Sequence, residues 1–186
     1  MLADLLDLTQ PLLWTVPAVL SPEECAALIA RIEAAGPAAA PITTSAGFVM
    51  RPDIRNNSRA VIDDEALAAE LFRRVRPRLP PRMRDRGRTM EVAGANERLR
   101  CYRYEPGQRF ASHYDGRFQR DAREWSLLTF MIYLNEGFSG GETDFPLQGQ
   151  RIQPQTGTAL LFQHHLLHEG RTVTSGVKYA LRSDVM

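Results

Sequence analysis

The second half of the sequence is a succession of short runs rich in Val, Ile, Leu, Phe, Tyr and Thr, separated by glycine, proline and asparagine. Such runs favour β-strands. Seven follow one another without a helical stretch between them, at residues 99–104, 126–134, 142–145, 150–153, 158–162, 168–173 and 177–184. Because parallel strands would need crossover helices, this spacing predicts a sandwich or barrel, with a jelly roll as the simplest form.

The first half predicts helical cover for that β-rich core. The sequence SPEE beginning at Ser21 has the pattern of a capping box with proline at the first helical position. Apolar residues at helical spacing follow, and Gly36 provides a stop. A second helix is predicted to begin at Asp63 or Asp64. The segment 42–63 has weak periodicity and is predicted as a long irregular loop, of the kind that often covers a site.

Length and composition fit one globular domain. The chain has 186 residues, of which 44% are hydrophobic and 24% charged, which disfavours wholesale disorder, collagen and a disulfide scaffold. A net charge of +1 disfavours a global attraction to nucleic acid or anionic membranes. The acidic N-terminal segment lacks the pattern of an export signal, no apolar run approaches the ~18 residues that cross a bilayer, and two cysteines suit a reducing compartment. We therefore expect a cytoplasmic location.

Three side chains in the β-rich half have the chemistry of a metal site. His113 and Asp115 are two residues apart, which in an extended segment places both on one face. His168 is the best third ligand because it opens a predicted strand, whereas His164 and His165 lie in the preceding turn. Two imidazoles and one carboxylate leave coordination positions free, which suits non-haem iron(II). Zinc hydrolysis is the alternative, although the HExxH pattern of common zinc proteases is absent.

Lys178 is the only lysine in a chain that otherwise uses arginine. On its predicted strand it shares a face with Ala180 and Arg182. A cation inside the core is costly without an anion, so an acidic ligand there would supply the partner. Arg182 is the competing anchor, since its guanidinium binds a carboxylate bidentately whereas an ammonium acts as a point charge. Lys178 is the preferred anchor.

Longer motifs surround these candidates: RYEPGQRFASHYDG from residue 103, LTFMIYLNEGFSGGETDF from residue 128 and HEGRTVTSGVKYALRSD from residue 168. They resemble the catalytic core of the iron(II)/2-oxoglutarate-dependent oxygenases, in particular the prolyl 4-hydroxylase-like branch. The resemblance covers about residues 98–186. It implies an α+β, mainly β fold: a double-stranded β-helix (jelly roll) in residues 98–186, supported by helices and a lid loop in residues 1–97, together one domain over 1–186.

The resemblance also implies site residues, cofactors and an activity. Iron(II) would be held by His113, Asp115 and His168, and 2-oxoglutarate by Lys178, Tyr104, Tyr133, Thr143 and Arg182. The implied reaction uses O2 to hydroxylate an aliphatic C–H bond and releases succinate and CO2, with ascorbate as reductant. A prolyl or peptidyl substrate is an expectation by analogy with the branch.

Residues near the predicted entrance are candidates for substrate contact. They are Asn57, Arg59, Arg117, Phe118 and Trp125. Ordinary loop contacts or packing would account for the same residues. The expected partners are 2-oxoglutarate and a peptide, protein or small-molecule substrate.

An arginine-rich stretch supports a different class of function. It contains Arg73, Arg74, Arg76, Arg78, Arg82, Arg84, Arg86 and Arg88. Such a stretch could hold phosphates, and a nucleic-acid dealkylase would be the corresponding enzyme. The stretch has no aromatic residue for base stacking, and Arg171 and Arg182 lack the R-x5-R spacing usual in that branch. A solvated helix end and loop is therefore preferred. A third alternative is a metal-binding, cupin-like module without turnover.

Overall fold

The computed structural model describes residues 5–44 and 47–186. Within them are two α-helices, α1 (Pro22–Ala34) and α2 (Glu65–Val75), and a short 3-10 turn at Arg76–Arg78. The strands, in chain order, are β1 (Leu13–Val16), β2 (Ala38–Ala39), β3 (Ile42–Thr44), β4 (Gly47–Val49), β5 (Ser58–Asp63), β6 (Arg82–Asp85), β7 (Arg88–Glu91), β8 (Arg98–Tyr104), β9 (Phe110–His113), β10 (Leu128–Tyr133), β11 (Ser139–Gly140), β12 (Thr143–Phe145), β13 (Gln150–Ile152), β14 (Ala159–Gln163), β15 (His168–Gly170), β16 (Val173–Ser175) and β17 (Lys178–Val185).

The strands form two principal sheets. The larger has seven strands in the order β1-β14-β10-β17-β8-β5-β2, and the smaller has four in the order β13-β12-β15-β9. The pairs β3–β4, β6–β7 and β11–β16 form two-stranded sheets. Every strand pair in the described residues is antiparallel, as a run of strands without crossover helices predicts. The fold is therefore mainly β, with few helices.

Both predicted helices begin at their start signals. The Oγ of Ser21 accepts the N–H of Glu24 at 3.2 Å, and the Glu24 carboxylate accepts the N–H of Ser21 at 2.8 Å. This reciprocal pair is the capping box that the sequence predicts for α1. Asp64 caps α2 by accepting the N–H of Leu67 at 2.9 Å. Buried residues of both helices belong to the same apolar cluster as the large sheet. No helix in the described part of the chain is both long and apolar enough to span a bilayer.

The first half also contributes strands, which corrects the prediction of helical cover alone. β1 and β2 form the two edges of the large sheet, and β5 pairs with β8 over six residues. The segment 42–63, predicted as an irregular loop, contains β5 and the hairpin β3–β4. The sequence of β5, SRAVID, alternates poorly in polarity, so the strand is not evident from its own pattern. Its conformation is stabilised by pairing with β8.

Three further boundaries differ from prediction. The arginine-rich stretch continues into the hairpin β6–β7 instead of a loop. The predicted strand 168–173 divides into β15 and β16, which lie in different sheets. Strand β9 was not predicted, because its four residues include Ser and His and are too few for a clear alternation. The remaining predicted strands are found, with shifts of one or two residues at their ends.

Candidate active site

His113, Asp115 and His168 meet at one end of the small sheet. His113 ends β9, His168 begins β15, and the two are directly paired in the ladder. Their candidate ligand atoms and those of Asp115 all lie within 4.8 Å of one another. Nε2 of His113 is 3.7 Å from Oδ1 of Asp115, and Nε2 of His168 is 3.6 Å from Oδ2 of Asp115. The structure therefore brings together the three side chains that the sequence proposed as metal ligands.

Backbone carbonyls orient both imidazoles. Nδ1 of His113 donates to the Ala111 carbonyl at 2.8 Å, and Nδ1 of His168 donates to the Leu166 carbonyl at 3.0 Å. Because a carbonyl only accepts, each Nδ1 carries a proton, and Nε2 is the nitrogen of each ring that faces Asp115. Burial lowers the pKa of His168 to about 4, so this ring is neutral at neutral pH. Imidazoles oriented in this way are competent ligands for a divalent metal.

Asp115 is an ionised carboxylate with one oxygen engaged by the protein. Its Oδ2 accepts the hydroxyl of Thr129 at 2.6 Å and lies 3.3 Å from Nη2 of Arg182. Burial acts to raise the pKa of Asp115, but the Arg182 guanidinium holds it well below its usual range. Since these donors engage Oδ2, Oδ1 is the oxygen that remains available to a metal.

A chain of hydrogen bonds supports Asp115 from the core. Oγ1 of Thr129 is 2.9 Å from Nδ1 of His164, and Nε2 of His164 is 2.7 Å from Oγ of Ser126. Thr129 gives its single hydroxyl proton to Asp115, so Nδ1 of His164 must donate to Thr129 and Nε2 must accept from Ser126. Burial lowers the pKa of His164 to about 4, which agrees with this neutral tautomer. His164 thus orients the carboxylate through Thr129 and does not join the three-residue cluster.

A cavity of about 470 Å³, its open mouth included, lies between the two principal sheets beside this cluster. The large sheet lines it with Tyr102, Tyr104, Thr129, Met131, Phe162, Lys178, Ala180 and Arg182. The opposite wall consists of Phe110, His113, Asp115, Thr143, His168 and Gly170. The predicted common face of Lys178, Ala180 and Arg182 is therefore confirmed.

Lys178 is a buried cation without a carboxylate partner at ion-pair distance among the described residues. Lys178 is 3% exposed, and its Nζ donates to the Gly141 carbonyl at 2.6 Å. Nζ also lies 5.3 Å and 5.4 Å from the ring centroids of Tyr104 and Tyr133. Burial lowers the pKa of Lys178 to about 8, because nothing nearby fully compensates the charge. The ammonium is placed to receive an anion in the cavity.

Arg182 differs from Lys178 in being paired within the protein. Its Nη2 lies 3.0 Å from Oδ1 of Asp184 and 3.3 Å from Oδ2 of Asp115. Burial acts to lower the pKa of Arg182, but these two carboxylates raise it above its usual value. Arg182 consequently stabilises the position and charge of Asp115.

Three further residues predicted near the co-substrate surround Lys178. Tyr104 and Thr143 line the cavity. The hydroxyl of Tyr133 donates to Oγ1 of Thr143 at 2.7 Å, and burial raises the pKa of Tyr104 to about 12. Both tyrosines are therefore neutral hydroxyl groups beside the ammonium.

Three of the predicted substrate residues lie away from the cavity. Arg117 and Trp125 pack together, with Cζ of Arg117 5.4 Å from the ring centroid, and both contact Oδ2 of Asp85, at 3.4 Å and 3.0 Å respectively. The backbone N–H of Phe118 donates to Oγ of Ser126 at 2.9 Å. None of the three lines the cavity in the described structure, where they pack around Asp85 and Ser126, and their contact with a substrate stays a prediction.

Asn57 and Arg59 lie on the β5 side of the molecule. Asn57 is fully buried, and its Oδ1 accepts Nε of Arg55 at 2.7 Å, so it positions a neighbouring side chain instead of lining the cavity. Arg59 lies directly opposite Tyr102 in the β5–β8 ladder, at the side of the cavity.

Sequence reasoning missed Thr129, His164 and Arg55 as residues that act at or beside this cavity. Thr129 shares one face of a predicted strand with Met131 and Tyr133, so its inward orientation could have been predicted from the sequence. The hydrogen bonds of His164 depend on a turn, and the position of Arg55 depends on β5 joining the large sheet. Neither has a signal in the sequence.

Part of the arginine-rich stretch is neutralised by acids. Arg73 and Arg74 pair with Glu70, Arg74 also pairs with Glu24, and Arg82 pairs with Glu91 on the neighbouring strand. The prediction that nucleic acid is not the partner stays a prediction.

Comparison with known proteins agrees with this geometry. The family model of the 2OG-Fe(II) oxygenase superfamily matches residues 99–183, a span that contains the three clustered candidate ligands, Lys178 and Arg182. Over this span the chain is similar to the 2OG-Fe(II) oxygenase superfamily. Among its relatives, a prolyl 4-hydroxylase of Acanthamoeba polyphaga mimivirus is 36% identical over 101 residues, which cover 45% of this chain and 42% of the relative. Prolyl 4-hydroxylase 1 of Arabidopsis thaliana is 25% identical over 187 residues, covering 87% and 64% respectively. The chain thus spans less than two thirds of either relative.

Solved structures resemble the chain over nearly its whole length. The viral collagen prolyl hydroxylase of Paramecium Bursaria Chlorella virus-1, solved as a 2OG complex, has a TM-score of 0.65 and 25% identity, covering 95% of this chain and 97% of that one. A prolyl hydroxylase of Trichoplax adhaerens, in complex with a hypoxia inducible factor peptide fragment, has a TM-score of 0.69 and 16% identity, covering 97% and 86%. The second similarity concerns the fold alone.

Proposed function

We propose that this protein hydroxylates an aliphatic C–H bond with iron(II), 2-oxoglutarate and O2, releasing succinate and CO2. One observation carries the proposal: a cluster of two imidazoles and one carboxylate opens onto a cavity that also contains the uncompensated ammonium of Lys178. A ligand that joins a metal to a distant cation must have a metal-binding end and an anionic end, as 2-oxoglutarate has.

The donor set fits iron(II). Nε2 of His113, Nε2 of His168 and Oδ1 of Asp115 would hold the ion on one face and leave the other positions free for ligands. When bound, iron with 2-oxoglutarate supplies the activation of O2 that oxidises the substrate. The aromatic rings of Phe110 and Phe162 lie against the histidines, at centroid distances of 3.6 Å and 4.6 Å, and help to exclude water from the metal ligands.

Lys178 is the proposed anchor for the distal carboxylate of 2-oxoglutarate. Two cations line the cavity. Arg182 is paired with Asp115 and Asp184, whereas Lys178 has no carboxylate partner in the described residues. Tyr104, Tyr133 and Thr143 provide the wall around the ammonium. Within this proposal Arg182 assists by holding Asp115.

The protein acts mainly by positioning its ligands. His168 is neutral at neutral pH and has its Nδ1 proton committed to a carbonyl, and Asp115 is ionised. No cavity side chain is therefore required as a general acid or base. Fixed ligands and a fixed ammonium would align the co-substrate and the reacting C–H bond, which is where rate enhancement of this kind originates.

We also infer that the two principal sheets form a jelly roll, in one domain over residues 1–186. The antiparallel seven-stranded and four-stranded sheets with a cavity between them support this topology. The apolar cluster that unites both helices with the large sheet supports a single domain.

A prolyl residue in a peptide is the proposed substrate class, with ascorbate as reductant in vitro. The names of the relatives support this class.

Succinate formation tests the proposed function. The protein is incubated with 2-oxoglutarate and O2, with and without iron(II), and with a panel of prolyl peptides and small molecules. We expect iron-dependent succinate release that a substrate stimulates, and none from His113→Ala, which removes a ligand while leaving the fold intact. An absence of succinate from the wild-type protein under every condition would contradict the proposal and favour a metal-binding module without turnover.

A further inference from the structure

Two arginines on the β5 side of the cavity have no carboxylate partner among the described residues. Arg55, which precedes β5, is 4% exposed; its Nε donates to Asn57, while its buried Nη2 has no hydrogen-bond partner. Arg59, on β5, makes no hydrogen bond or ion pair within the described chain, and burial lowers its pKa, with the charge of Arg55 acting in the same direction. Burying the Arg55 guanidinium without a carboxylate partner costs free energy, and the half-buried Arg59 adds a second unpaired charge nearby, so the two together suggest a missing anion.

Both arginines adjoin the cavity wall through Tyr102. Cζ of Arg55 lies 4.6 Å from the ring centroid of Tyr102 and 4.4 Å from that of Phe110, and both rings line the cavity. Arg59 is paired directly with Tyr102 across β5 and β8, so the two side chains leave the same face of the sheet. The cations therefore lie at the side of the cavity where β5 and β9 meet, linked by the bridge between Arg55 and Phe110.

The carboxylates of the site have partners other than these two arginines. Asp115 pairs with Arg182, and Asp184 accepts from Arg100 at 2.9 Å. In the proposed complex the charges of iron(II) and 2-oxoglutarate cancel, so the positive charges of Lys178, Arg55 and Arg59 remain in excess. Of these three, Lys178 contacts the distal carboxylate of the co-substrate, whereas Arg55 lies against Tyr102 and Phe110 and Arg59 lies opposite Tyr102, away from that carboxylate.

We propose that Arg55 and Arg59 form a subsite for a carboxylate of the substrate. The inference rests on the proposed function and narrows its substrate class to compounds with a free carboxylate near the reacting carbon, such as an N-acyl amino acid or the C-terminal residue of a peptide, instead of an internal peptide segment. The planar guanidinium group suits bidentate binding of a carboxylate. Asn57 and the two aromatic rings already hold Arg55 in place, which reduces the entropy lost when a ligand binds.

Matched ligands test the subsite without turnover. Protein loaded with Mn(II) and 2-oxoglutarate is titrated calorimetrically with N-acetyl-L-proline and its N-methylamide, and with one short peptide ending in proline, as the free acid and as the C-terminal amide. We expect each acid to bind at least about tenfold more tightly than its amide. The small molecule and the peptide distinguish the two sources of carboxylate.

Variants assign that preference to the two residues. Arg59→Gln and Arg55→Gln are expected to remove the acid-over-amide preference, whereas Arg98→Gln, an exposed arginine at the far end of β8, keeps it. Equal affinity of acids and amides for the wild-type protein, or no binding of the acids at millimolar concentration, would overturn the subsite. If 2-oxoglutarate itself fails to bind the metal-loaded protein, the proposed function fails instead.

A stability measurement separates a binding role from a structural one. Because Arg59 has no hydrogen-bond or ion-pair partner in residues 5–44 and 47–186, Arg59→Met is expected to leave the melting temperature of the ligand-free protein unchanged or to raise it. A fall of several degrees would mean that Arg59 supports the fold, and would remove it from the subsite.

Discussion

Lys178 and Arg182 project from β17 into the same cavity, and of the two only Arg182 has carboxylate partners in the described chain. Their spacing of four residues places them on one face of the strand. Their surroundings differ: Arg182 contacts Asp115 and Asp184, while Lys178 faces the rings of Tyr104 and Tyr133. One cation therefore stabilises a candidate metal ligand, and the other is left free for a bound anion.

Lys178→Met should stabilise the ligand-free protein and weaken co-substrate binding. Burial lowers the pKa of Lys178 to about 8, so keeping the amine protonated costs the folded protein about 3 kcal/mol. We expect the free energy of unfolding in urea at pH 7 to rise by up to this amount. The affinity for 2-oxoglutarate, measured by calorimetry, should fall about 10- to 100-fold, with metal affinity unchanged. A less stable variant that retains 2-oxoglutarate affinity would contradict the assignment.

Because Lys178 loses its proton near pH 8, we expect 2-oxoglutarate affinity and the free energy of unfolding to change with pH in opposite directions. Affinity for 2-oxoglutarate should decrease as pH rises through about 8, where Lys178 in the free protein loses its proton. Above about 8 the unfolded chain holds this proton and the folded protein does not, so the contribution of Lys178 to stability becomes more favourable as pH rises towards the ordinary lysine pKa. Binding and urea unfolding are measured across this range; Lys178→Met should lack both trends.

Arg182→Met should damage the metal site more than co-substrate anchoring. The substitution leaves the buried Asp115 and Asp184 without their shared cation, which costs about 3–5 kcal/mol of stability. Metal titration should show weaker binding, because Asp115 loses the charge that keeps it ionised. The apparent requirement for 2-oxoglutarate is measured beside that of Lys178→Ala at saturating iron. A larger increase for Arg182→Met would reverse the choice of anchor.

Thr129→Val should weaken the metal site through Asp115 and His164. Valine preserves the shape but removes a donor to Oδ2 of Asp115 and leaves Nδ1–H of His164 without an acceptor. We expect a loss of about 1–3 kcal/mol in the free energy of unfolding and about 10- to 100-fold weaker metal binding. The exposed Thr15 on β1 provides the control, since Thr15→Val changes the same atoms outside the network. Unchanged metal affinity in Thr129→Val would mean that the hydrogen bond does not orient Asp115.

Much of the site followed from local patterns. Residues an even number of positions apart lie on one face of an extended chain. This rule places His113 with Asp115 and Lys178 with Arg182, and His168 was identified from its position at the start of a predicted strand. The residues that face the cavity could therefore be predicted before their partners were known. The helix starts at Ser21 and Asp64 followed from capping chemistry in the same way.

Contacts between distant parts of the chain could not be predicted in this way. The indole N–H of Trp125 donates to Asp85, on a hairpin that the sequence did not predict. Arg55 lies beside Tyr102 because β5, the strand that follows it, pairs with β8.

By itself, the sequence determined the strand-rich second half, the two helices and the identity of the three clustered candidate ligands, because periodicity, capping and ligand chemistry act over a few residues. Only the tertiary structure decided which of two inward-facing cations is free, which oxygen of Asp115 remains for a metal and where Arg55 lies. Those properties depend on which groups from separate strands come within hydrogen-bonding distance, and burial makes each such pairing, or its absence, energetically significant.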